Sequence, residues 1–451
     1  MCADEGSGAD PAVAGVGVGV GVGRGSRAPG RVAVVGAGMV GLATAWFLQE
    51  RGVEVTVIER ARVAAGSSWG NAGWLTPSLA APLPEPAVLR YGLRAVLKPT
   101  SPVYVPPRAD PRLLRFLAGF ARNSTANRWR RAMGALAPLN RRALGAFDIL
   151  AAGGVDVPTR PAAPFLACYR DPREREALIV ELEEIRDVGQ SVEFDLLDGA
   201  AVRTLEPALA DGIGAAIRID GQRFCDPGDF VTALADSVRA RGGALREGVG
   251  VLAIHADRDV DHHDRYRVGG AEVGLELSTG EIEPFDMVVV ASGAWLTDLV
   301  RPFGVRTPVQ AGRGYSFSVT ARVLPGGPLY FPTHRVACTP LGDRLRIAGM
   351  MEFQEPHAPL DRRRITAIVN AVRPLLAGID LDTRTQEWVG SRPCTPDGLP
   401  LIGRTMSRRV FVAGGHGMWG ITLGPITGQL VAEAVTTGHC PAQLAPFDPL
   451  R

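Results

Sequence analysis

Arg31-Val32-Ala33-Val34-Val35-Gly36-Ala37-Gly38-Met39-Val40-Gly41 is the stretch on which the reading of this chain turns. Its first five residues form a short apolar run rich in β-branched side chains, which reads as a strand. Glycines follow at 36, 38 and 41. Leu42 to Arg51 then reads as a helix closed by Gly52, and Val53 to Ile58 as a second strand that ends at Glu59. A strand, glycine turn, helix and strand of this length make a βαβ unit with a G-x-G-x-x-G turn. Gly36 permits the tight turn. Gly38 lets the backbone approach a pyrophosphate, and Gly41 lets helix and strand pack closely. Ala37, Met39 and Val40 fill the positions between, where the N–H groups and positive dipole end of the helix favour a phosphate. Glu59 stands at about the expected 20 residues from the turn and can accept hydrogen bonds from both ribose hydroxyls; it would repel a 2′-phosphate, which disfavours NADP. The plain alternative is a glycine turn that binds nothing.

The fingerprint by itself leaves NAD and FAD open, and two further stretches favour FAD. Gly66-Ser67-Ser68-Trp69-Gly70-Asn71-Ala72-Gly73 supplies small residues, hydroxyls and an amide that could line a second phosphate and a ring. Gly414-Gly415-His416-Gly417-Met418-Trp419-Gly420-Ile421-Thr422 lies between a predicted strand, Arg409 to Ala413, and a predicted helix from about Gly424 to Thr437. A second helix N-terminus there could face the far end of a long cofactor and stabilise a reduced flavin, which is negatively charged. No second complete fingerprint marks a separate nicotinamide site.

Outward from these stretches, 451 residues exceed one compact core, since cores stop growing at roughly 250–300 residues. Leu113 to Leu150 has helical periodicity, as do Asp171 to Val188 and Pro227 to Arg241. Asp286 to Gly293 reads as a buried strand, and Val305 to Val319 and Arg335 to Gly349 as strands of a second sheet. Strands of the first kind thus recur near the beginning, middle and end. The expected fold class is α/β: a discontinuous Rossmann-type FAD-binding domain (30–85, 221–300 and 388–440). Inserted into it is an α+β substrate domain on a mostly antiparallel sheet (86–220 and 301–387). Residues 1–29, with the Gly-Val alternation from Gly15 to Gly23, read as a disordered tail or an upstream mis-start.

The composition excludes several classes. A net charge of +2 gives no footprint for nucleic acid. No run of about 18 apolar residues predicts a membrane span. The six cysteines contain no C-x-x-C pair, which argues against a metal or disulfide framework and fits a cytoplasmic protein. His262-His263 reads as part of a solvated hairpin rather than a metal site. Lys98 is the single lysine, which almost removes lysine as a catalytic base.

Arg31 to Arg60, Gly66 to Pro77, Gly221 to Val231, Val288 to Leu296, Gly312 to Ser318 and Trp388 to Gly428 together resemble the glycine oxidase and D-amino-acid oxidase superfamily. Within it, the likeness is to the small-subunit type of D-amino-acid dehydrogenase. Trp388-Val389-Gly390-Ser391-Arg392-Pro393-Cys394-Thr395-Pro396-Asp397-Gly398 is the most specific stretch. The stretch from about Pro84 to Ala210 matches poorly. The resemblance implies FAD held at Gly36 to Gly41, Glu59, Arg60, Ser67, Ser68, Asn71 and Gly73. It further implies Val251 by the adenine, Ser292, Gly293 and Trp295 along the cofactor, and Gly415, His416, Gly417, Gly420, Ile421 and Thr422 beside the ring. Arg392 is implied as the substrate carboxylate's partner and Tyr315 as a second contact to it.

The reaction so implied is hydride transfer from the α-carbon of an amino acid, in the D form, to flavin. The imine then hydrolyses to a 2-oxo acid and ammonia. Left without the resemblance, Arg392 would be expected to pair with an acid such as Asp397. His416 either contacts the flavin or caps its loop. Cys394 raises covalent flavin attachment, as in sarcosine oxidases, but does not align with their cysteine, so FAD is expected to be non-covalent. The scarcity of lysine points to a quinone or carrier as acceptor rather than oxygen, with attachment to the inner membrane face left open. Three alternatives stay open: oxidation of sarcosine, glycine or a proline derivative; a flavin carrier without turnover; and an NAD-dependent dehydrogenase.

Overall fold

A computed structural model describes residues 29–86, 100–107, 109–257 and 272–451. The Gly-Val tract, Lys98 and His262-His263 lie outside these residues.

The opening stretch folds as a parallel βαβ unit. The strand Arg31–Val35 pairs in parallel with Glu54–Glu59 on one side and Met287–Val290 on the other. The full sheet has six strands. Ala244–Glu247 flanks Glu54–Glu59; on the far side Met287–Val290 is followed by Val410–Gly414 and an antiparallel edge strand, Leu401–Arg404. Three distant stretches, Ala244–Glu247, Met287–Val290 and the hairpin of Leu401–Arg404 with Val410–Gly414, thus share one sheet with the opening βαβ unit. The sheet's central strands Arg31–Val35, Met287–Val290 and Val410–Gly414 are almost wholly apolar because both faces are covered, as parallel sheets require, whereas the edge strand Ala244–Glu247 is mixed and not buried. Alternation sends Val32, Val34 and Val289 into a core with the helices Met39–Gln49, Pro227–Ala240 and Gly420–Thr437. Ala33, Val35, Val288 and Val290 go into another, with the helix Leu296–Val300 and the three-stranded antiparallel sheet Val251–His255, Val273–Leu277 and Ile282–Phe285.

The second large sheet has nine strands and is mostly antiparallel. Gln310–Thr320 lies second from one end, between the terminal strand Thr385–Cys394 and Arg344–Phe353. Val336–Leu341, Leu329–Phe331, Leu166–Tyr169, Ala215–Ile219 and Phe194–Asp198 continue it.

Several elements differ from the sequence reading. The run from Arg335 to Gly349 is a hairpin, Val336–Leu341 and Arg344–Phe353, reversed at Gly342, whose φ of +62° is left-handed. Leu113 to Leu150 is two helices, Pro111–Asn123 and Ala126–Ala152. Ser124 ends the first by turning its hydroxyl back onto the Phe120 carbonyl at 2.8 Å, and Thr125 is extended. Asp171 to Val188 opens as a 3-10 turn before the helix Glu176–Asp187. The strand expected from Val305 begins at Gln310. The helices at both ends of the chain start earlier than periodicity suggests, at Met39 and at Gly420, so their glycines belong to the helices. Asp226 caps Pro227–Ala240 as its sequence implies, accepting from the Gly228 N–H at 3.0 Å.

Candidate active site

The glycine turn is forced by contact as much as by conformation. Gly36 has φ +112°, and a Cβ there would lie 2.6 Å from the Ala291 carbonyl oxygen. A Cβ on Gly41 would lie 1.9 Å from the Gly36 carbonyl oxygen. The N-terminus of Met39–Gln49 is thereby aimed at a cavity of about 400 Å³. Gly38 at its N-cap carries no side chain to close it, and the Met39 N–H reaches Ser68 Oγ at 3.2 Å. Glu59 stands at the cavity edge, its two oxygens accepting from the Ala37 and Ala61 N–H groups, each at 2.9 Å. Those bonds fix the carboxylate while leaving lone pairs for further donors.

The C-terminal helix Gly420–Thr437 lies against Met39–Gln49 so closely that a Cβ on Gly428 would come within 2.6 Å of the Ala43 carbonyl carbon and the Thr44 nitrogen. That contact brings a second helix start, Gly420 and Ile421, to the same cavity. His416 also borders it. Its Nε2 is 2.9 Å from Thr427 Oγ1, and burial pushes the imidazole down to about 4, so the ring is neutral at pH 7. Among the described residues its Nδ1 has no partner, and neither does the buried Ser292 Oγ on the same cavity. Arg60 stacks 3.5 Å over the Trp295 ring, and the Trp295 indole N–H donates to His357 Nε2 at 2.8 Å.

Of the residues expected at the cofactor, the structure brings together Gly36, Gly38, Met39, Val40, Glu59, Arg60, Ser67, Ser68, Asn71, Val251, Ser292, Gly293, Trp295, His416, Gly417, Gly420 and Ile421. Five expected residues do not border the cavity. Ala37 and Gly41 sit behind the turn. Gly73 packs on the Cys225 carbonyl, Gly415 on Thr395, and the Thr422 hydroxyl donates to the Trp74 carbonyl at 3.0 Å. Asp298, Leu299, Ser391 and Pro393 border it unforeseen: the first two carry no pattern in sequence, and the last two flank Arg392 in the Trp388 to Gly398 stretch.

A larger cavity, about 760 Å³, opens beside the first, and Asn71, Arg392 and Met418 border both. Arg392 comes from the strand Thr385–Cys394, where it lies opposite Gly312. Its guanidinium passes over Gly314, where a Cβ would be 2.2 Å away. Its Nη1 donates to the Met350 carbonyl at 2.9 Å. Among the described residues it makes no ion pair. Asp397, the acid that the sequence suggested as its partner, is held instead by Arg451, at 2.9 and 3.2 Å. Burial lowers the Arg392 pKa, yet a guanidinium stays charged. A desolvated cation without a counter-ion favours an anionic ligand.

Tyr315 is not at the site, contrary to expectation. Facing residues of an antiparallel pair share a side of the sheet, so Gly312 and Gly314 lie on the face of Arg392, and Tyr315 lies on the other, opposite Val389. Its side chain is fully buried and its hydroxyl donates to Glu352 Oε2 at 2.6 Å, beside Arg313 Nη1 at 3.1 Å from the same oxygen. Cys394 borders neither cavity; burial pushes its thiol up to about 12. Among the described residues there is no metal-binding cluster and no helix long and apolar enough to cross a membrane.

Residues 31–434 match the family described as FAD dependent oxidoreductase. A D-amino acid dehydrogenase of Phenylobacterium zucineum is 33% identical over 90% of this chain and 93% of its own length. One from Cereibacter sphaeroides is 32% identical over 90% and 91%. Among solved structures, the glycine oxidase of Geobacillus kaustophilus superposes with a TM-score of 0.69 at 25% identity, covering 93% of this chain and 99% of that one.

Proposed function

The chain belongs to the FAD dependent oxidoreductase family, and on that premise we propose that it oxidises a D-amino acid to the imino acid, which water converts to the 2-oxo acid and ammonia. Arg392 carries this reading: a half-buried guanidinium with no acid partner among the described residues, at the boundary of the two cavities. The relatives named D-amino acid dehydrogenase, about a third identical over nine-tenths of the chain, support the choice of substrate.

The residues of the smaller cavity fit FAD. A side chain on Gly36 would fill the turn, and the unpartnered His416 Nδ1 and Ser292 Oγ are polar atoms that a hydrogen-bonding cofactor would satisfy. In this reading Glu59 holds the ribose hydroxyls and the start of Met39–Gln49 the pyrophosphate, without a covalent link. The start of Gly420–Thr437 lies toward the ring. When bound, FAD supplies the two-electron acceptor for the α-hydrogen.

The chain's own part is orientation and exclusion of water. Arg392 grips the substrate carboxylate through two parallel hydrogen bonds, which fixes the face of the α-carbon turned toward the smaller cavity. Apolar walls from Trp74, Leu79, Met350 and Trp419 keep water from the reacting bond. No protein base is required, because the neutral amine fraction of the bound substrate is the reactive one. A glycine or sarcosine substrate would leave most of the larger cavity unfilled. A quinone or a protein carrier is the acceptor we infer.

The test is anaerobic addition of D- and L-amino acids and sarcosine to the purified holoprotein. Bleaching of the flavin band by D-amino acids alone is expected. Bleaching only by sarcosine or glycine would replace the substrate assignment, and no bleaching by any of them would remove it.

A further inference from the structure

The larger cavity has, besides its apolar lining, two unlike polar groups whose charges do not perturb each other. One is Arg392. The other lies where the helix Glu176–Asp187 presents Glu181, and the strands Leu166–Tyr169 and Leu329–Phe331 present Tyr169 and Tyr330. Arg335 and Glu85 border the same region. The charged neighbours of Glu181 are Glu85, Arg335 and Glu184, and Arg392 is not among them. Tyr169, in turn, senses Tyr330, Glu181 and Glu174. These groups form one cluster, apart from the carboxylate clamp.

Two observations say that this cluster faces a ligand. Tyr169 is only 3% exposed, and among the described residues its phenolic oxygen has no hydrogen-bond partner although it borders the cavity. A buried hydroxyl without a partner is unfavourable unless something else satisfies it. The second is the charge balance. Among the described residues, the carboxylates on the cavity are Glu85, Glu174 and Glu181, and Arg335 is the cation that borders it away from the clamp. Glu174 already accepts from the Thr333 hydroxyl at 3.2 Å. Burial, and next the charge of Glu85, push the Glu181 carboxyl up to about 8, with Arg335 opposing. A ligand cation placed here would favour the ionised carboxylate and so oppose both effects.

We propose that Glu181 and Tyr169 form a side-chain subsite that selects amino acids with a long aliphatic side chain ending in a guanidinium or ammonium group. The proposal rests on the amino-acid reading above and adds to it the class of side chain. In this arrangement the substrate spans the cavity. Its carboxylate lies on Arg392, its methylenes lie along Trp74, Leu79 and Leu178, and its terminal cation meets the Glu181 carboxylate and the Tyr169 oxygen. The side chain of a shorter apolar substrate would reach the apolar wall but not the acid.

The experiment compares D-arginine with D-citrulline, which has nearly the same shape and no charge, on the holoenzyme and on Glu181→Gln and Tyr169→Phe. The flavin spectrum of each variant reports that it is folded and loaded. The wild-type kcat/KM is expected to favour D-arginine by about tenfold or more, mainly through KM, the range of one charge-assisted hydrogen bond. Glu181→Gln should bring the ratio close to one, and Tyr169→Phe should lower it by less. A wild-type ratio near one, or a ratio that survives Glu181→Gln, overturns the subsite. If D-leucine or D-methionine reduces the flavin while D-arginine is no better than D-citrulline, the subsite alone fails. If no D-amino acid reduces it, the amino-acid reading falls and this subsite with it.

Discussion

The two cavities that meet at Arg392 are built in different ways. The smaller one is made largely of backbone: two helix starts, a glycine turn and a strand end, with Glu59 fixed by main-chain N–H groups. The larger one is made of single side chains, among them Trp74, Leu117, Tyr169, Glu181, Tyr330 and Trp419, each from a different element or loop. A backbone-built site tolerates change in most side chains but little change at its glycines. A side-chain-built site can change what it accepts one residue at a time without disturbing the fold.

The sharpest test of that contrast is the residue common to both. Arg392→Met keeps an unbranched stem of similar width and removes the charged end. It is expected to lower kcat/KM for a D-amino acid by about a hundredfold to a thousandfold, the loss of a buried, bidentate carboxylate contact. Flavin content should fall little, because the cofactor cavity is held by main chain. A loss below about threefold would mean that the guanidinium serves only to hold the Met350 carbonyl.

A second test compares glycines. Gly428→Ala places a Cβ 2.6 Å from two backbone atoms of Met39–Gln49, neither of which can turn aside. A cost of about 1–3 kcal/mol is expected, with weaker retention of FAD as the two helix starts separate. Gly134 and Gly145 lie in the helix Ala126–Ala152 with nothing within 4 Å of an added Cβ. Alanine there should stabilise by about 0.5–1 kcal/mol through helix propensity. Thermal denaturation of the three variants reads both signs. Equal shifts would show that the interhelical contact does not matter.

The same contrast explains what could be read from the chain without its structure. Glycine spacing between a strand and a helix has few physical meanings, so the turn at Gly36 to Gly41, Glu59 and the loop at His416 were legible. So was the sharing of one sheet by strands distant in sequence. Boundaries were less so: Leu113 to Leu150 keeps its helical period across the break at Ser124, and the turn at Gly342 interrupts a run that otherwise looks like one strand. Tyr315 could not be placed, because its side of the sheet depends on the register that sets Gly312 opposite Arg392, which no local pattern encodes. Nor could the Glu181 cluster, whose members come from the helix Glu176–Asp187, two strands and loops and share no motif.

The smallest expected effect concerns His416, one of the few side chains on which the backbone-built cavity depends. Burial holds its pKa at about 4, below the ordinary value of 6.5. The unfolded chain therefore binds this proton more readily than the folded one. The sign follows by linkage: the stability associated with the neutral ring is fully present above pH 6.5 and is lost as pH falls from there through about 4. His416→Gln keeps a polar group near Thr427 but cannot titrate, so the difference in melting temperature between wild type and variant should narrow as pH drops from 6.5 to 4. The pH profile of kcat/KM should show no limb between 6 and 8 that disappears in the variant, because a ring already neutral has no proton to gain or lose there. A limb near pH 6.5 that vanishes with His416→Gln would mean that the imidazole is solvated in the working enzyme. The cavity would then be less closed by its main chain than the contacts at Gly36, Gly41 and Gly428 imply.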